Sequence, residues 1–194
     1  MSEIEQIKGN LLDFPPYCQT DQNKYIGIDT IAHSCNTRMI MGGGIAKQIK
    51  NRYPQAYQAD IDFIDDEYDH NGQFKHPLGK FSKVGINSKF LPNNKGYIYN
   101  MYTQANIGDD SRQVNYEKFW EALKRVEHDL HTMNINKDQY DGSSPPVLGL
   151  PYGISCGLAG GSWRIIKAII EDIFLDSPIK CYIVEFDLAQ NNIK

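Results

Sequence analysis

The sequence predicts an α/β fold in which helices cover both faces of a sheet. Two observations carry this prediction: apolar runs of strand length alternate with amphipathic helical segments, and two of the buried runs end in glycine-rich turns that lead into helices. No repeat and no long linker divides the 194 residues. We therefore expect one domain over residues 1–194.

The first predicted elements are a strand and two helices. The apolar run Tyr25–Ala32 predicts a largely buried strand that leads into the polar segment 33–36. The glycines at 42–44 open a short helix with two isoleucines on one face, and this helix ends before Pro54. Apolar residues at helical spacing over 57–68 predict a second helix after that proline.

Two strands and the clearest helix come next. The short apolar runs 81–86 and 96–102 predict strands, with turn residues on either side of them. Residues 115–133 predict a long helix with Asn115 as its N-cap. One apolar stripe runs along this helix, formed by Tyr116, Phe119, Leu123, Val126, Leu130 and Met133.

The last part of the chain again contains a strand, a glycine-rich turn and a helix, followed by one more strand. A short buried strand over 145–150 is followed by a glycine-rich turn at 153–161. Ser162 is placed to cap a helix that ends near Phe174, and residues 180–186 predict the final strand.

Composition excludes several functional classes. The net charge of −4 does not favour binding to nucleic acid through long-range attraction. No apolar run reaches the ~20 residues that span a bilayer, and the charged N-terminus lacks the apolar region of a signal peptide, so we expect a cytoplasmic protein without a membrane partner. Four scattered cysteines indicate neither a disulfide framework nor a zinc ribbon. The pattern predicts no metal and no cofactor, and it leaves the oligomeric state open.

The two glycine-rich turns are the strongest functional signal. In each, glycine lets backbone N–H groups approach a ligand closely, and a following helix N-terminus adds partial positive charge. Two such turns at one edge of a sheet could hold the two ends of a diphosphate. Taken singly, a glycine-rich turn of this kind is more often only a tight connection between a strand and a helix. Neither the dinucleotide fingerprint nor a P-loop is present.

Four segments, in order, resemble the macro domain family and span nearly the whole chain. They are Gly9-Asn-Leu-Leu12, the run from Ala32 through His-Ser-Cys-Asn and Gly-Gly-Gly-Ile-Ala to Pro54, the run Leu150–Trp163, and Tyr182–Asp187. The resemblance implies a three-layer α/β/α sandwich with a central mixed sheet. It also implies a cleft on top of that sheet that binds ADP-ribose.

The resemblance implies a ligand-binding role for residues in four places. These are Gly9, Asn10 and Leu11; Cys35, Met41, Gly42, Gly43, Gly44, Ile45 and Ala46; Ile154, Ser155, Cys156, Gly157, Leu158, Ala159 and Gly160; and Phe186. Asn10 would meet the adenine edge, and the two loops would surround the diphosphate and the distal ribose. We expect Cys35 and Cys156 to be small side chains that fill space within the loops. Phe186 would stack on adenine, or it would be a core residue at the end of a strand.

Two departures from the family pattern indicate the branch. Family members that remove ADP-ribose from glutamate or from DNA carry a lysine after the middle strand and an aspartate in the second loop. This sequence has Gln104 and Ala159 at those places. The segment 33–36, the glycines that follow it and the run Arg52-Tyr-Pro-Gln-Ala56 instead resemble the ADP-ribose 1″-phosphate phosphatase branch.

The resemblance therefore predicts hydrolysis of ADP-ribose 1″-phosphate to ADP-ribose and phosphate, without a metal. Asn36 would position the ribose or the attacking water. A histidine ordinarily titrates near neutral pH, so we expect His33 to act as general acid or base; its alternative role is to brace the loop by hydrogen bonds. Two other functions stay open: an ADP-ribosyl hydrolase acting on a modified macromolecule or on O-acetyl-ADP-ribose, and a module that binds ADP-ribose without turnover.

Overall fold

The computed structural model describes residues 4–13, 18–19, 25–66, 77–87, 95–108, 110–135 and 146–186. The strands are β1 (Glu5–Gly9), β2 (Cys18–Gln19), β3 (Tyr25–Ile26), β4 (Thr30–Asn36), β5 (Phe81–Asn87), β6 (Lys95–Gln104), β7 (Val147–Pro151) and β8 (Lys180–Phe186). The helices are α1 (Gly44–Arg52), α2 (Pro54–Asp66), α3 (Tyr116–Ile135) and α4 (Trp163–Phe174), and a 3-10 turn covers Leu11–Asp13. Within the described ranges, no helix has the length and apolar content to cross a membrane.

Six strands form one sheet in the order β1-β8-β7-β4-β6-β5. Neighbouring strands are parallel except for β5, which pairs antiparallel with β6, so the sheet is mixed as the resemblance implied. The carboxyl ends of β4, β6, β7 and β8 lie along the same edge of the sheet, where ligands bind in open α/β folds. Strands β2 and β3 form a separate two-stranded ribbon.

Apolar side chains on the two faces of the sheet build separate cores. Ile31 and Ala32 are consecutive on β4 and therefore point to opposite faces. Ile31 belongs to a cluster that includes Ile49 of α1 and Ala56 of α2. Ala32 belongs to a cluster that includes apolar residues of α3 and α4. The fold is thus a three-layer α/β/α arrangement, and the prediction is confirmed.

The element bounds agree with the sequence pattern, with three differences. The apolar run at 25–32 is broken between β3 and β4, and β4 continues through the polar segment 33–36. Side chains of this segment make hydrogen bonds to β6, to the loop after β7 and within the loop after β4. The sequence pattern did not predict strand β1, because at this edge of the sheet exposed residues alternate with half-buried ones and form no continuous apolar run. Ser162 occupies the N-cap position of α4, but its side chain makes no capping hydrogen bond.

Two predicted element bounds lie outside the described residues: the helix end at Tyr68 and the strand start at Pro145.

The predicted N-cap of α3 is present. The Oδ1 atom of Asn115 accepts a hydrogen bond from the Lys118 amide at 3.1 Å.

Candidate functional site

A cleft of about 510 Å³ lies over the carboxyl ends of β4, β6 and β7. The loop after β4 forms one wall and the loop after β7 forms the other. Most of the predicted loop residues line it, namely Asn36, Gly42, Gly43, Gly44, Ile45, Ala46, Ile154, Ser155, Gly157, Leu158 and Ala159. The fold therefore brings together two segments that are more than 100 residues apart in sequence.

The first loop presents a helix N-terminus to the cleft. Gly43 is the N-cap of α1, and Gly44 opens the helix with φ of +54°, in the left-handed region that favours glycine. The first amides of a helix have no partner within it, and those of Gly44, Ile45 and Ala46 have no acceptor among the described residues. These N–H groups and the positive end of the helix dipole suit an anion.

The second loop presents backbone donors without a helix. Turn hydrogen bonds use the amides of Ile154, Cys156 and Gly160. Four other amides in this loop find no acceptor in the described part of the chain, those of Ser155, Gly157, Leu158 and Ala159. No residue of α4 is among the described residues that line the cleft, so the structure does not support the prediction that the N-terminus of α4 contacts the ligand. The amides of the second loop are the donors on this side of the cleft.

The two loops meet above the cleft at Gly43 and Leu158. A Cβ atom on Gly43 would lie 2.6 Å from the Leu158 Cδ1 atom, which is closer than two carbon atoms can approach. The Leu158 side chain is 63% exposed, so it is held only loosely in place. Glycine at position 43 thus lets the side chain of one loop lie directly on the backbone of the other.

Asn36 lines the cleft and also holds the first loop in shape. Its Oδ1 accepts hydrogen bonds from the amides of Arg38 and Ile40, at 3.0 and 3.3 Å. Its Nδ2 donates to the Ile40 carbonyl at 2.7 Å. One Nδ2 hydrogen is left for a ligand. The segment that Asn36 braces includes Met39, which has a strained φ of +55°.

His33 does not line the cleft. The side chain is fully buried, and its Nε2–H donates to Asn100 Oδ1 on β6 at 2.7 Å. Burial lowers the pKa of His33 from 6.5 to about 4, so the ring is neutral near pH 7. This position does not support proton transfer to a ligand, and it favours the bracing role.

A chain of buried polar groups continues from His33 beneath the first loop. Asn100 Nδ2 donates to the Ala56 carbonyl at 2.8 Å and to Ser82 Oγ at 2.9 Å. The Tyr102 hydroxyl lies 3.1 Å from Ser82 Oγ and donates to Asp60 Oδ1 at 2.9 Å. Burial raises the pKa of Asp60 to about 6. These contacts tie β4, β5 and β6 to α2.

The buried position of His33 gives a stability prediction. Because its folded pKa of about 4 lies below the ordinary 6.5, neutral His33 stabilises the fold above pH 6.5, and this contribution is lost as the pH falls towards 4. His33→Gln removes the titration and keeps a donor for Asn100. The unfolding free energy of wild type minus that of the variant should therefore fall by about 3 kcal/mol from pH 7 to pH 4. Urea denaturation at a series of pH values measures it; Asp60 titrates in both proteins and cancels. A difference that stays constant over this range would contradict the prediction.

Several other predicted residues lie below the cleft surface. Cys35 and Met41 pack in a buried cluster with Ile64 and Tyr102. Burial raises the pKa of the Cys35 thiol well above its ordinary value, so the thiol is protonated. Cys156 and Gly160 belong to the second loop but do not line the cleft.

Four other predicted ligand residues, Gly9, Asn10, Leu11 and Phe186, lie at the β1–β8 side of the sheet and do not line the cleft. Asn10 and Phe186 are the two predicted to meet adenine. Gly9 and Phe186 are paired in register at the ends of their strands. Phe186 is 45% exposed, which fits a surface that stacks on a ligand better than a core residue. Asn10 Oδ1 accepts a hydrogen bond from the Leu12 amide at 3.1 Å. The Leu11 side chain is buried, so only its backbone could meet a ligand.

Sequence reasoning missed three notable lining residues. Ser34 of β4 lines the floor of the cleft, Tyr152 lines the wall formed by the second loop, and Ile107 lines the end of the cleft near Gln104. The Tyr152 ring packs on Trp163 with centroids 4.7 Å apart, and its amide donates to the Val184 carbonyl of β8. The signal for Ser34 was its place in an alternating strand, two residues before Asn36, because alternate residues share a face.

The cleft is lined by backbone and neutral side chains. Among the described lining residues, Tyr152 is the only one with an ionisable side chain. Proton transfer by a carboxylate, lysine or histidine of the cleft is therefore not available from the described residues. The site can bind an anion and orient groups on it.

Comparison with known sequences gives two similar proteins. No protein-family model matches the chain. An uncharacterized 17.5 kDa protein from the tk-vs intergenic region of enterobacteria phage T4 is 27% identical over 160 residues, which cover 81% of this chain and 86% of the phage protein. An ADP-ribose 1″-phosphate phosphatase from Debaryomyces hansenii is 23% identical over 194 residues, covering 94% of this chain and 99% of that protein.

Solved structures give a clearer likeness. A macrodomain protein from Streptomyces coelicolor has a TM-score of 0.61 at 22% identity and covers 95% of this chain and 99% of its own. The macrodomain of Mycobacterium tuberculosis DarG has a TM-score of 0.66 at 16% identity, over 95% of this chain and 98% of its own. Thermosipho africanus DarTG, solved in complex with ADP-ribose, has a TM-score of 0.52 at 16% identity, over 84% of this chain and 39% of its own. At these identities the likeness is one of fold.

Proposed function

We propose that this chain, whose fold is that of the macrodomain proteins, binds ADP-ribose in the cleft between its two loops. The observation that carries the proposal is that the cleft is lined from both sides by residues whose amides have no acceptor among the described residues: three at the start of α1 and four in the second loop. Such donors suit the oxygens of a diphosphate. The cleft volume of about 510 Å³ is in the range of small-molecule sites.

The ends of the cleft differ in a way that fits the two ends of this ligand. Toward β8, Tyr152 lines the wall, and the exposed Phe186 ends the neighbouring strand just outside the lining. Aromatic faces at this end would suit adenine. Toward β6, the side-chain amides of Asn36 and Gln104 face the cleft and suit the hydroxyls of the distal ribose.

Hydrolysis of ADP-ribose 1″-phosphate is the catalytic form of this proposal. A water oxygen would attack the phosphorus, and the bond between phosphorus and the ribose C1″ oxygen would break to release phosphate and ADP-ribose. The cleft offers N–H groups for the phosphoryl oxygens and the Asn36 amide to orient the water or the ribose. The similarity to the Debaryomyces hansenii phosphatase over nearly the whole chain supports this reaction.

Two measurements on one sample test the proposal. Calorimetric titration with ADP-ribose measures binding, and phosphate release from ADP-ribose 1″-phosphate, with and without EDTA, measures turnover. We expect saturable binding and phosphate release that EDTA does not abolish. Absence of binding would contradict the proposal as a whole. Tight binding without phosphate release at any pH would make the chain an ADP-ribose reader.

Removal of ADP-ribose from macromolecules should be absent. Ala159 has no acidic group, and the Gln104 amide, which donates to the Asn106 carbonyl at 2.8 Å, can serve neither as nucleophile nor as base. Peptides with ADP-ribose on glutamate, and ADP-ribosylated DNA, should therefore lose it no faster than in buffer. Release well above that rate would overturn the assignment to the phosphatase branch; O-acetyl-ADP-ribose is assayed in parallel.

A further inference from the structure

One hydrogen bond joins the central strand to the second loop across the floor of the cleft. The hydroxyls of Ser34 on β4 and Ser155 lie 2.6 Å apart. Both residues line the cleft. This contact joins segments 121 residues apart.

Ser155 has a backbone conformation that residues with a side chain rarely adopt. Its φ is +62°, in the left-handed region, where Cβ crowds the following carbonyl. The other left-handed positions of the second loop are glycines, Gly153 at +68° and Gly160 at +67°. Ser155 is therefore the strained member of this loop, and its hydroxyl bond to Ser34 offsets part of that strain.

In the same left-handed conformation, the Ser155 carbonyl lies against Gly161 at the end of the second loop. Its oxygen accepts a hydrogen bond from the Gly161 amide at 2.9 Å, and a Cβ on Gly161 would lie 2.6 Å from it. The amides of Ser155, Gly157, Leu158 and Ala159, which have no acceptor in the described ranges, lie on the stretch that this bond closes. The backbone conformation of Ser155 thus determines the positions of the second-loop amides that would contact the ligand.

We propose that Ser34 and Ser155 are positioning residues: their hydroxyl pair holds Ser155 in the left-handed conformation and so keeps the second-loop amides ready for a diphosphate. The inference rests on the proposed binding of ADP-ribose. The pair acts through the backbone, and neither hydroxyl is required to touch the ligand.

Substitutions at the two serines test this with ADP-ribose as the probe. Ser34→Ala and Ser155→Ala each lose the bond and keep a side chain at the strained position, so affinity should fall about tenfold. Ser155→Gly also loses the bond but removes the strain, because glycine adopts this φ freely. It should bind within about threefold of wild type, and Ser34→Ala should add no further loss in the Ser155→Gly background. Thr132→Ala, which removes an exposed hydroxyl from α3, is the matched control and should bind as wild type does.

Hydrogen exchange of the Gly161 amide gives a readout that needs no ligand. This amide should exchange faster in Ser34→Ala and Ser155→Ala and stay protected in Ser155→Gly, because its acceptor is the Ser155 carbonyl. If wild type fails to bind ADP-ribose, the proposed function fails and the exchange data still decide the role of the pair. If Ser155→Gly loses as much affinity as Ser155→Ala, or if Ser34→Ala changes neither readout, the inference is overturned.

Discussion

Gly43→Glu should abolish ADP-ribose binding, with a loss of affinity of at least about 100-fold, while the chain still folds. The new side chain would begin 2.6 Å from the Leu158 Cδ1 atom and extend into the space between the loops. It would also put a negative charge beside the unpaired amides at the start of α1, where the diphosphate needs positive potential. Calorimetric titration measures the loss, and thermal unfolding of the same sample reports the fold.

Gly43→Ala is the matched control for this change. It adds the same Cβ without charge, and Leu158 can move aside because its side chain is 63% exposed. Affinity should fall only a few-fold, since the backbone donors stay in place. Normal binding by Gly43→Glu would show that the ligand does not lie over the first loop.

Asn36→Ala should lower phosphate release from ADP-ribose 1″-phosphate by on the order of 10²–10³, the usual effect of losing one oriented hydrogen bond in a transition state. The structure adds a second effect. Because Asn36 makes three hydrogen bonds that shape the first loop, its loss should also weaken ADP-ribose affinity several-fold. The rate should still fall far more than the affinity if Asn36 orients the reacting group.

Asn106→Ala provides the matched control for Asn36. Asn106 accepts a hydrogen bond from the Arg38 guanidinium at 2.8 Å in an exposed position and does not line the cleft. This variant should keep both rate and affinity. Equal losses of rate and affinity in Asn36→Ala would show that Asn36 acts only through the loop, and an unchanged rate would remove it from the reaction.

The layered fold could be predicted from local pattern because each element carries its own signal. The stripe of α3, the glycines before α1 and the apolar run of β8 each have a period or a breaker that a short window of sequence contains. The likeness to solved macrodomain structures confirms the predicted fold. Strand β1 was missed because an edge strand with alternating exposure lacks a continuous apolar run.

The sequence predicted the candidate site only in part, as the two predicted catalytic residues, His33 and Asn36, illustrate. Asn36 and His33 lie three positions apart on one strand, and the odd spacing puts them on opposite faces of the sheet. Asn36 therefore reaches the cleft, and His33 is buried against Asn100, where it stays neutral. The sequence favoured a catalytic role for His33 because the ordinary pKa of histidine is near neutral. Burial lowers the pKa of His33 to about 4 and so removes the basis for that role.

The sequence by itself determined the layered fold, the two glycine-rich loops and the resemblance that suggests ADP-ribose, because these depend on residue types at short spacing. Tertiary structure alone decided which side chains face the cleft and which backbone amides are unpaired. Those features depend on strand register and on contacts between distant segments, such as Ser34 with Ser155 and Gly43 with Leu158. A short window of sequence contains no information on such contacts, since they form only when the sheet brings the ends of β4 and β7 together.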